Sequence, residues 1–533
     1  HSHLHRTMNR PGLPASRPPR ILFVRTPRFM WPILSEADNF LIPLAYLSLA
    51  SALRESMPDV HIKLVDCPVQ QLGWQSLETL IRDWQPDMVC AGDEAIYVHE
   101  TARLFLLARS ILPGVVNVAG GFCMPHVPDW SLHEAGADYV VFGEGEITFC
   151  ELVRTLRDGG AIEDVRGLYL RGDGDEVVFT GFRPLVKNLD DLPVPAYDLM
   201  PRILHRKNAS LFQNSFNLEK GRGCIDTCNF CSIWTQMGDW GSGSPQARYR
   251  TKSPERVMHE MDILYSRYGY RNFMFVDGTF NIDANWNEAW ADQVVSKRWD
   301  DIAWYGFFRA DTFFKEHRRG VFRKLVKAGL HWFLVGVERQ DNEDYEFLSK
   351  HNYDSSMMRA MFQTLRREYP SVVRHATFLV GLPEDDEAKL WRLYDYAVSL
   401  QPDFIAFQTI SPQPGTTLWN QALEERWLVD KGPDALKDFY WWQPVMRTEH
   451  LDLDDLMEIA NDMNRMVFKS YLRPDTLRSL FSRSAARRGY YRFMVGVGMK
   501  TVLQHLHQVA TGRTDFQHLN VIKDMVKPTW YEA

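Results

Sequence analysis

The chain has 533 residues, 45% hydrophobic and 24% charged, a profile of a globular protein with room for two to four domains and a sizeable core. Its net charge of -7 and pI near 6.2 argue against a nucleic-acid partner, and no run of residues is long and apolar enough to be read as a transmembrane helix. Seven cysteines, an odd number with no secretory leader, point to a reducing cytoplasmic setting rather than a disulfide framework.

The opening HSHLHRTMNRPGLPASRPPR is polar and lacks the apolar stretch of a signal peptide; its His-rich start is expected to be appended, with Met8 as the native start. From residue 21 onward short buried strands alternate with helices. Strands are expected at 21–24, 61–65, 88–91, 115–119 and 139–142, and helices at 41–53, 77–84, 100–111 and 146–156. This alternation implies a parallel, doubly wound, Rossmann-like sheet over residues 20–156, with ligands at the carboxyl ends of its strands. Asp66, Gly92, Asp93, Gly120, Gly121, Gly143, Glu144 and Gly145 all fall there. Glycine at such an edge lets the backbone approach a ligand closely.

Residues 157–204 read as a linker, with a Gly/Asp-rich hairpin (RGDGDE) and the run LDDLPVPAYDL. A second β/α series occupies 205–430, with strands at 216–218, 272–276, 303–308, 332–337, 376–380 and 404–408. About six such units predict a partial (β/α)6 barrel with its site at the carboxyl strand ends. Residues 431–533 read as a helical C-terminal domain.

The strongest chemical signal is Gly221-Arg222-Gly223-Cys224-Ile225-Asp226-Thr227-Cys228-Asn229-Phe230-Cys231. Three thiolates on one glycine-led loop can converge on a soft metal centre, zinc or iron-sulfur. Structural zinc asks for four protein ligands, and the local run holds no fourth. Three cysteines on a cubane leave one iron open, which suits catalysis over electron transfer. Cys67, Cys90, Cys123 and Cys150 are scattered and read as core or wall thiols.

The spacing C-x3-C-x2-C, with Phe230 before the third cysteine, resembles the signature of the radical S-adenosylmethionine (SAM) superfamily across residues 210–430. The resemblance implies a 4Fe-4S cluster on Cys224, Cys228 and Cys231 and a SAM site that includes Phe230. It also implies that Asp277 and Gly278 in VDG hold the SAM amino group, and that Arg309 in FFRAD and Glu338 in GVERQ stand at the next strand ends. FLVGLPE (378–384) and SPQPGT (411–416) match the fifth and sixth strand ends. The first region resembles the cobalamin-binding domain found ahead of many such enzymes, through ILFV, Gly120-Gly121 and AGADYVVFGEGE, which contains Gly143 and Glu144. No Asp-x-His-x-x-Gly motif follows the first strand, so cobalamin is expected base-off, without a histidine below it.

The implied function is radical C-methylation of an unactivated carbon in a large or apolar substrate, with a flavodoxin or ferredoxin as electron donor. The alternatives are an oxidative cyclase of the anaerobic magnesium-protoporphyrin monomethyl ester type and, from another class, a non-catalytic corrinoid or metal carrier. At the C-terminus, FYWWQPV (439–445) with Trp441 and Trp442, followed by SRSAARRGYYRFMVGVGMK (482–500), is expected to close the barrel mouth around the substrate and to rest on an anionic membrane surface.

Overall fold

Runs of Val, Ile, Leu and Phe that are buried on both faces must be covered on both faces, and parallel strands flanked by helices satisfy that. The computed structural model of this chain describes residues 12–27, 42–70, 72–92, 97–200, 215–430, 432–438, 444–470, 474–483, 487–492 and 495. The first sheet is built on β1 (Arg20–Arg25), whose ILFV is fully buried. It pairs in parallel with β2 (His61–Asp66) on one side and β3 (Met88–Ala91) on the other, and β4 (Val116–Ala119) and β5 (Tyr139–Val141) continue the sheet. The order β2-β1-β3-β4-β5 reverses direction at β1, which makes the edge above β1 and β3 the crevice of a doubly wound fold. The hairpin expected inside the linker joins this sheet instead: β6 (Leu168–Arg171) and β7 (Val177–Phe179) add antiparallel strands beside β5. The sheet therefore runs well past residue 156, because Leu168 and Leu170 have an apolar face to bury.

The second sheet holds β8 (Ser215–Leu218), β11 (Asn272–Phe275), β12 (Ala303–Phe308), β13 (Leu330–Glu338), β14 (Val373–Val380) and β15 (Phe404–Thr409), all parallel and in chain order. A short ribbon of β9 (Gly221–Gly223) and β10 (Tyr249–Thr251) stands between β8 and β11 in sequence. This is the six-stranded partial barrel that the β/α series implies. Alternation along its strands separates two environments. Phe273, Trp304, Phe333 and Phe378 point outward under the helices, in the large core. Met274, Tyr305 and Trp332 point inward, in a separate cluster.

Beyond the barrel, helix Leu453–Ser470 covers the edge strand β15: Asn464 donates to the Phe407 carbonyl at 3.2 Å and accepts from the Phe407 amide at 3.3 Å. That satisfies an otherwise open strand edge. Trp441 and Trp442 lie outside the described residues. The described part of the basic-aromatic segment does not close the mouth. Tyr490 and Tyr491 pack against Trp332, Tyr305 and Val373 at the amino ends of the strands, opposite the cysteine loop. Arg487, expected on a solvated membrane face, turns inward to the buried Asp403 at 2.7 Å, and Arg374 pairs with the same carboxylate at 2.8 Å. A buried carboxylate needs such cations, and this need outweighs the exposure that an arginine-rich run suggests.

One further buried charge fixes the barrel's upper half. Arg339, fully buried after β13, pairs with Asp344 at 2.7 Å and Asp385 at 2.5 Å, and Asp385 also accepts from the Gly381 and Leu382 amides. Removing one member of such a set strands the others without water. Asp385→Ala should cost about 3–5 kcal/mol in urea denaturation, whereas exposed Asp300→Ala should stay within about 0.5 kcal/mol.

Candidate functional site

The cysteine loop starts from a strand that only glycine permits. A Cβ on Gly223, whose φ is +84°, would stand 1.8 Å from the Arg248 carbonyl oxygen across the β9–β10 ribbon. Cys224, Cys228 and Cys231 follow, all half-buried. Three anchors hold the loop between them. Asn229 donates to the Phe347 carbonyl from its side chain and to the Leu348 carbonyl from its amide, and its own carbonyl accepts from the Leu418 amide. Trp234 donates from its indole to the Cys228 carbonyl at 2.8 Å. Asp226, buried, accepts from Arg309 at 2.7 Å and meets the His351 ring at 2.7 Å.

Burial pushes the Cys231 thiol up to about 11 and the Cys228 thiol higher still, although Lys350 opposes both shifts. The Cys228 thiol senses Cys231, and Cys231 senses Cys224, so the three share one electrostatic environment. A soft metal that replaces their protons removes that penalty, so this donor set fits an iron-sulfur cluster. Among the described residues, no three His, Cys, Asp or Glu side chains surround one point as they would a single ion. Thiolates that bind different irons of a cubane need share no such point.

The strand ends around the loop carry the other predicted residues. Cys224 Sγ lies 3.9 Å from the Thr279 hydroxyl, which places the Asp277-Gly278-Thr279 turn beside the cysteines. A Cβ on Gly278 would come within 2.9 Å of Ile233, so that turn packs directly on the helix after Cys231. Asp277 is buried; its Oδ2 accepts from the Lys220 amide at 3.0 Å, while Oδ1 has no hydrogen-bond partner among the described residues. Burial raises this carboxyl to about 7, against the pull of Lys220. An unpartnered buried carboxylate oxygen beside the cysteines fits an ammonium donor such as that of SAM. Phe230, on the cysteine loop, is partly buried against an apolar cluster that includes Leu348, Leu382 and Leu418.

Glu338 sits at a register shift between β13 and β14 with φ +65°, a strained conformation for a residue with a side chain. Its carboxylate is 2.7 Å from Lys350 Nζ, which also donates to the Gly336 carbonyl at 2.6 Å. Arg309 differs from its expected role. Its guanidinium is bound by Asp226, by Asp311 at 2.8 Å and by the His351 carbonyl at 3.2 Å, so it holds the cysteine loop instead of facing a ligand. Lys350 is the site residue that the sequence reading missed. The signal was the run Ser349-Lys350-His351-Asn352-Tyr353 soon after Glu338: two of its residues, Ser349 and Asn352, take φ of +51° and +61°, and the turn delivers Lys350 and His351 to the cysteines.

On the first sheet, Gly92 and Gly120 touch so closely that a Cβ on Gly92 would be 2.3 Å from the Gly120 carbonyl oxygen. Gly121 and Gly143 have φ of +85° and +75°, and a Cβ on Gly143 would meet nothing within 4 Å. The Thr26 hydroxyl, buried at the end of β1, has no partner among the described residues. Bare backbone, open space and an unpartnered hydroxyl at the strand ends fit a large cofactor there. Asp93 lies outside the described residues. Glu144 departs from the expected cofactor contact: it accepts from Arg250 at 2.8 Å, from Arg222 at 3.2 Å and from the Val186 amide at 2.8 Å. Next to it, Glu146 receives Arg222 at 2.6 Å and the Ser48 hydroxyl at 2.8 Å. The carboxyl edge of the first sheet is thus clamped to the strand that leads into Cys224. A second contact backs the clamp. Trp240 stacks on Phe182 and meets Phe142 edge-on, and His126 places Nε2 3.0 Å from the Gln236 amide oxygen.

A B12-binding domain model matches residues 30–153, and the radical SAM superfamily model matches residues 218–397. An uncharacterized methyltransferase, PH0819 of Pyrococcus horikoshii, is 27% identical over 82% of this chain and 89% of its own length. The anaerobic magnesium-protoporphyrin IX monomethyl ester cyclase of Cereibacter sphaeroides is 25% identical over 80% of this chain and 66% of its own. The solved structure of the radical S-adenosylmethionine methyltransferase TsrM from Kitasatospora setae, with cobalamin and a 4Fe-4S cluster bound, shares the fold. Its TM-score is 0.65 at 15% identity, over 91% of this chain and all of that one.

Burial alone would raise Glu146, but the charge and hydrogen bonds of Arg222 outweigh it and hold the carboxyl at about 2, against 4.5 for the free group. A folded pKa below the unfolded one stabilises the fold above pH 4.5 and loses that stabilisation as pH falls towards 2. The contribution is on the order of 3 kcal/mol. Urea midpoints of the wild type should therefore drop over that interval, and those of Glu146→Gln should start lower and drop less. Gly223→Ala should assemble little cluster, read as iron per chain after anaerobic reconstitution.

Proposed function

We propose that this radical SAM enzyme, whose cofactors are a 4Fe-4S cluster, SAM and cobalamin, is a methyltransferase that acts on a carbon of an apolar small molecule. The observation that carries the reading is the clamp of Arg222 on Glu144 and Glu146, which sets the cysteine loop against the carboxyl edge of the B12-binding sheet. When bound, these groups supply reductive cleavage of the SAM carbon-sulfur bond and a transferable methyl group.

The chain's own residues do the rest. Cys224, Cys228 and Cys231 hold three irons, and Asp226 and Asn229 fix the loop that presents them. The open Oδ1 of Asp277 receives the ammonium of SAM. Glu338 and Lys350 orient its remaining polar groups, with Lys350 available to a carboxylate and Glu338 to hydroxyls. Gly120, Gly121 and Gly143 let the cobalamin approach the backbone. The inward faces of β11 to β15, largely apolar, keep water from the reacting carbon. A flavodoxin or ferredoxin supplies the electron. On this reading the B12-binding unit runs from residue 20 through the hairpin that ends at Phe179, and the barrel unit from residue 215 to about residue 430.

Methyl transfer is favoured over oxidative cyclisation because PH0819, named an uncharacterized methyltransferase, aligns at 27% identity over 89% of its own length, against 25% and 66% for the cyclase of Cereibacter sphaeroides. Anaerobically reconstituted enzyme with cobalamin, SAM and a strong reductant should release methionine and 5'-deoxyadenosine, and S-adenosylhomocysteine as well. Deoxyadenosine without S-adenosylhomocysteine would favour the cyclase reading. Cys228→Ala should lower all three products to background; deoxyadenosine from a fully iron-loaded Cys228→Ala chain would refute the ligand assignment.

A further inference from the structure

The inward-facing residues of the barrel form two layers of different character. At the amino ends of the strands, Met274, Tyr305, Trp332 and Val373 are buried against Tyr490 and Tyr491 of the C-terminal segment. Tyr490 is wholly buried; its ring lies edge-on to Trp332 at 5.2 Å, and its hydroxyl donates to the Asp403 carbonyl at 2.9 Å. Tyr491 donates to the Asp403 carboxylate at 2.6 Å, so both rings are fixed by the loop that enters β15. One step up the strands, towards the cysteines, lie Val276, Phe307, Leu334, Thr377, Ala406 and Gln408. These alternate with residues buried under the outer helices, yet each keeps partial exposure. A residue on the inner face of a barrel stays exposed only if it lines a space. None of the six is charged, and four are hydrocarbon.

We propose that these six residues line an apolar chamber below the cysteine loop, and that the ring of Tyr490 is its floor and sets how deep an apolar substrate reaches. Tyr490 is then a specificity-determining residue contributed by a segment outside the barrel. The inference rests on the apolar-substrate reading above and adds the boundary of its site. His375, in the floor layer, accepts from the Trp332 indole at 3.2 Å, and burial lowers its pKa to about 3, so it stays neutral. An alkyl or polycyclic hydrocarbon portion suits such a space, and a charged one does not.

The test uses the full, cofactor-loaded chain and a homologous series of straight-chain 1-alkanols, titrated by anaerobic calorimetry. In the wild type, affinity should rise about fourfold per added methylene until the chain meets the floor, then stop rising. Tyr490→Ala should move that stop to longer alkanols, and Tyr490→Phe, which keeps the ring and loses only the hydroxyl, should leave it in place. Ala406→Phe, which thickens the wall without touching the C-terminal segment, should move the stop to shorter alkanols. If Tyr490→Ala binds the series like the wild type, Tyr490 is not the floor. If Tyr490→Ala fails to fold, an unchanged stop in Ala406→Phe overturns the chamber. If the wild type binds no alkanol at all, the apolar-substrate reading itself fails.

Discussion

Arg222 is the group on which the arrangement of this molecule depends. Its guanidinium is buried and meets Glu144 at 3.2 Å, Glu146 at 2.6 Å and Glu219 at 3.0 Å. A cation and carboxylates removed from water are tolerable only when each is paired, so the set forms together or not at all. Two of the carboxylates belong to the carboxyl edge of the first sheet, and Arg222 is two residues before Cys224. The ion cluster therefore does more than join two domains. It fixes which edge of one faces which loop of the other, and Arg250, opposite Arg222 in the ribbon, repeats the contact through Glu144.

From that fixed root the cysteine loop is held in place by groups from several strand ends. Asp226 is tied to Arg309 and His351, Asn229 to the segment after β13 and to the helix that begins at Thr417, and Trp234 to the Cys228 carbonyl. Around the loop the polar groups are less complete. Asp277 keeps one oxygen without a partner among the described residues, and Glu338 holds a positive φ at a bulge, where Lys350 neutralises it. Multiple anchors where the loop must be rigid, and open or strained groups where a ligand would enter, is the distribution expected of a preorganised site.

The barrel, the doubly wound sheet and the position of the cysteine loop at a strand end were legible in the sequence because their signals are local. The strands are short apolar runs set between helical patterns, and the thiolates lie within eight positions of each other. The ion pairs of Arg309 and Glu144 are less legible: Asp226 and Arg250 are 83 and 106 residues away, and although Asp311 stands only two residues after Arg309, no local pattern marks a strand-end charge as already paired. The hairpin of β6 and β7 looked like linker because its turn is rich in Gly and Asp, while its pairing with β5 is a tertiary fact. The C-terminal segment misled through its arginines. An amphipathic basic helix reads as a surface, yet the buried Asp403 draws Arg487 and Tyr491 to the barrel floor.

Three cysteines that hold a cluster with one iron left for SAM give the molecule a spectroscopic signature. The most direct measurement is electron paramagnetic resonance of the anaerobically reconstituted, reduced full chain, recorded before and after SAM is added. The account predicts a single reduced 4Fe-4S signal whose g-values shift with SAM, and no such signal in a chain that lacks Cys224, Cys228 and Cys231. A cluster signal that ignores SAM, or one that survives loss of the three cysteines, would contradict it.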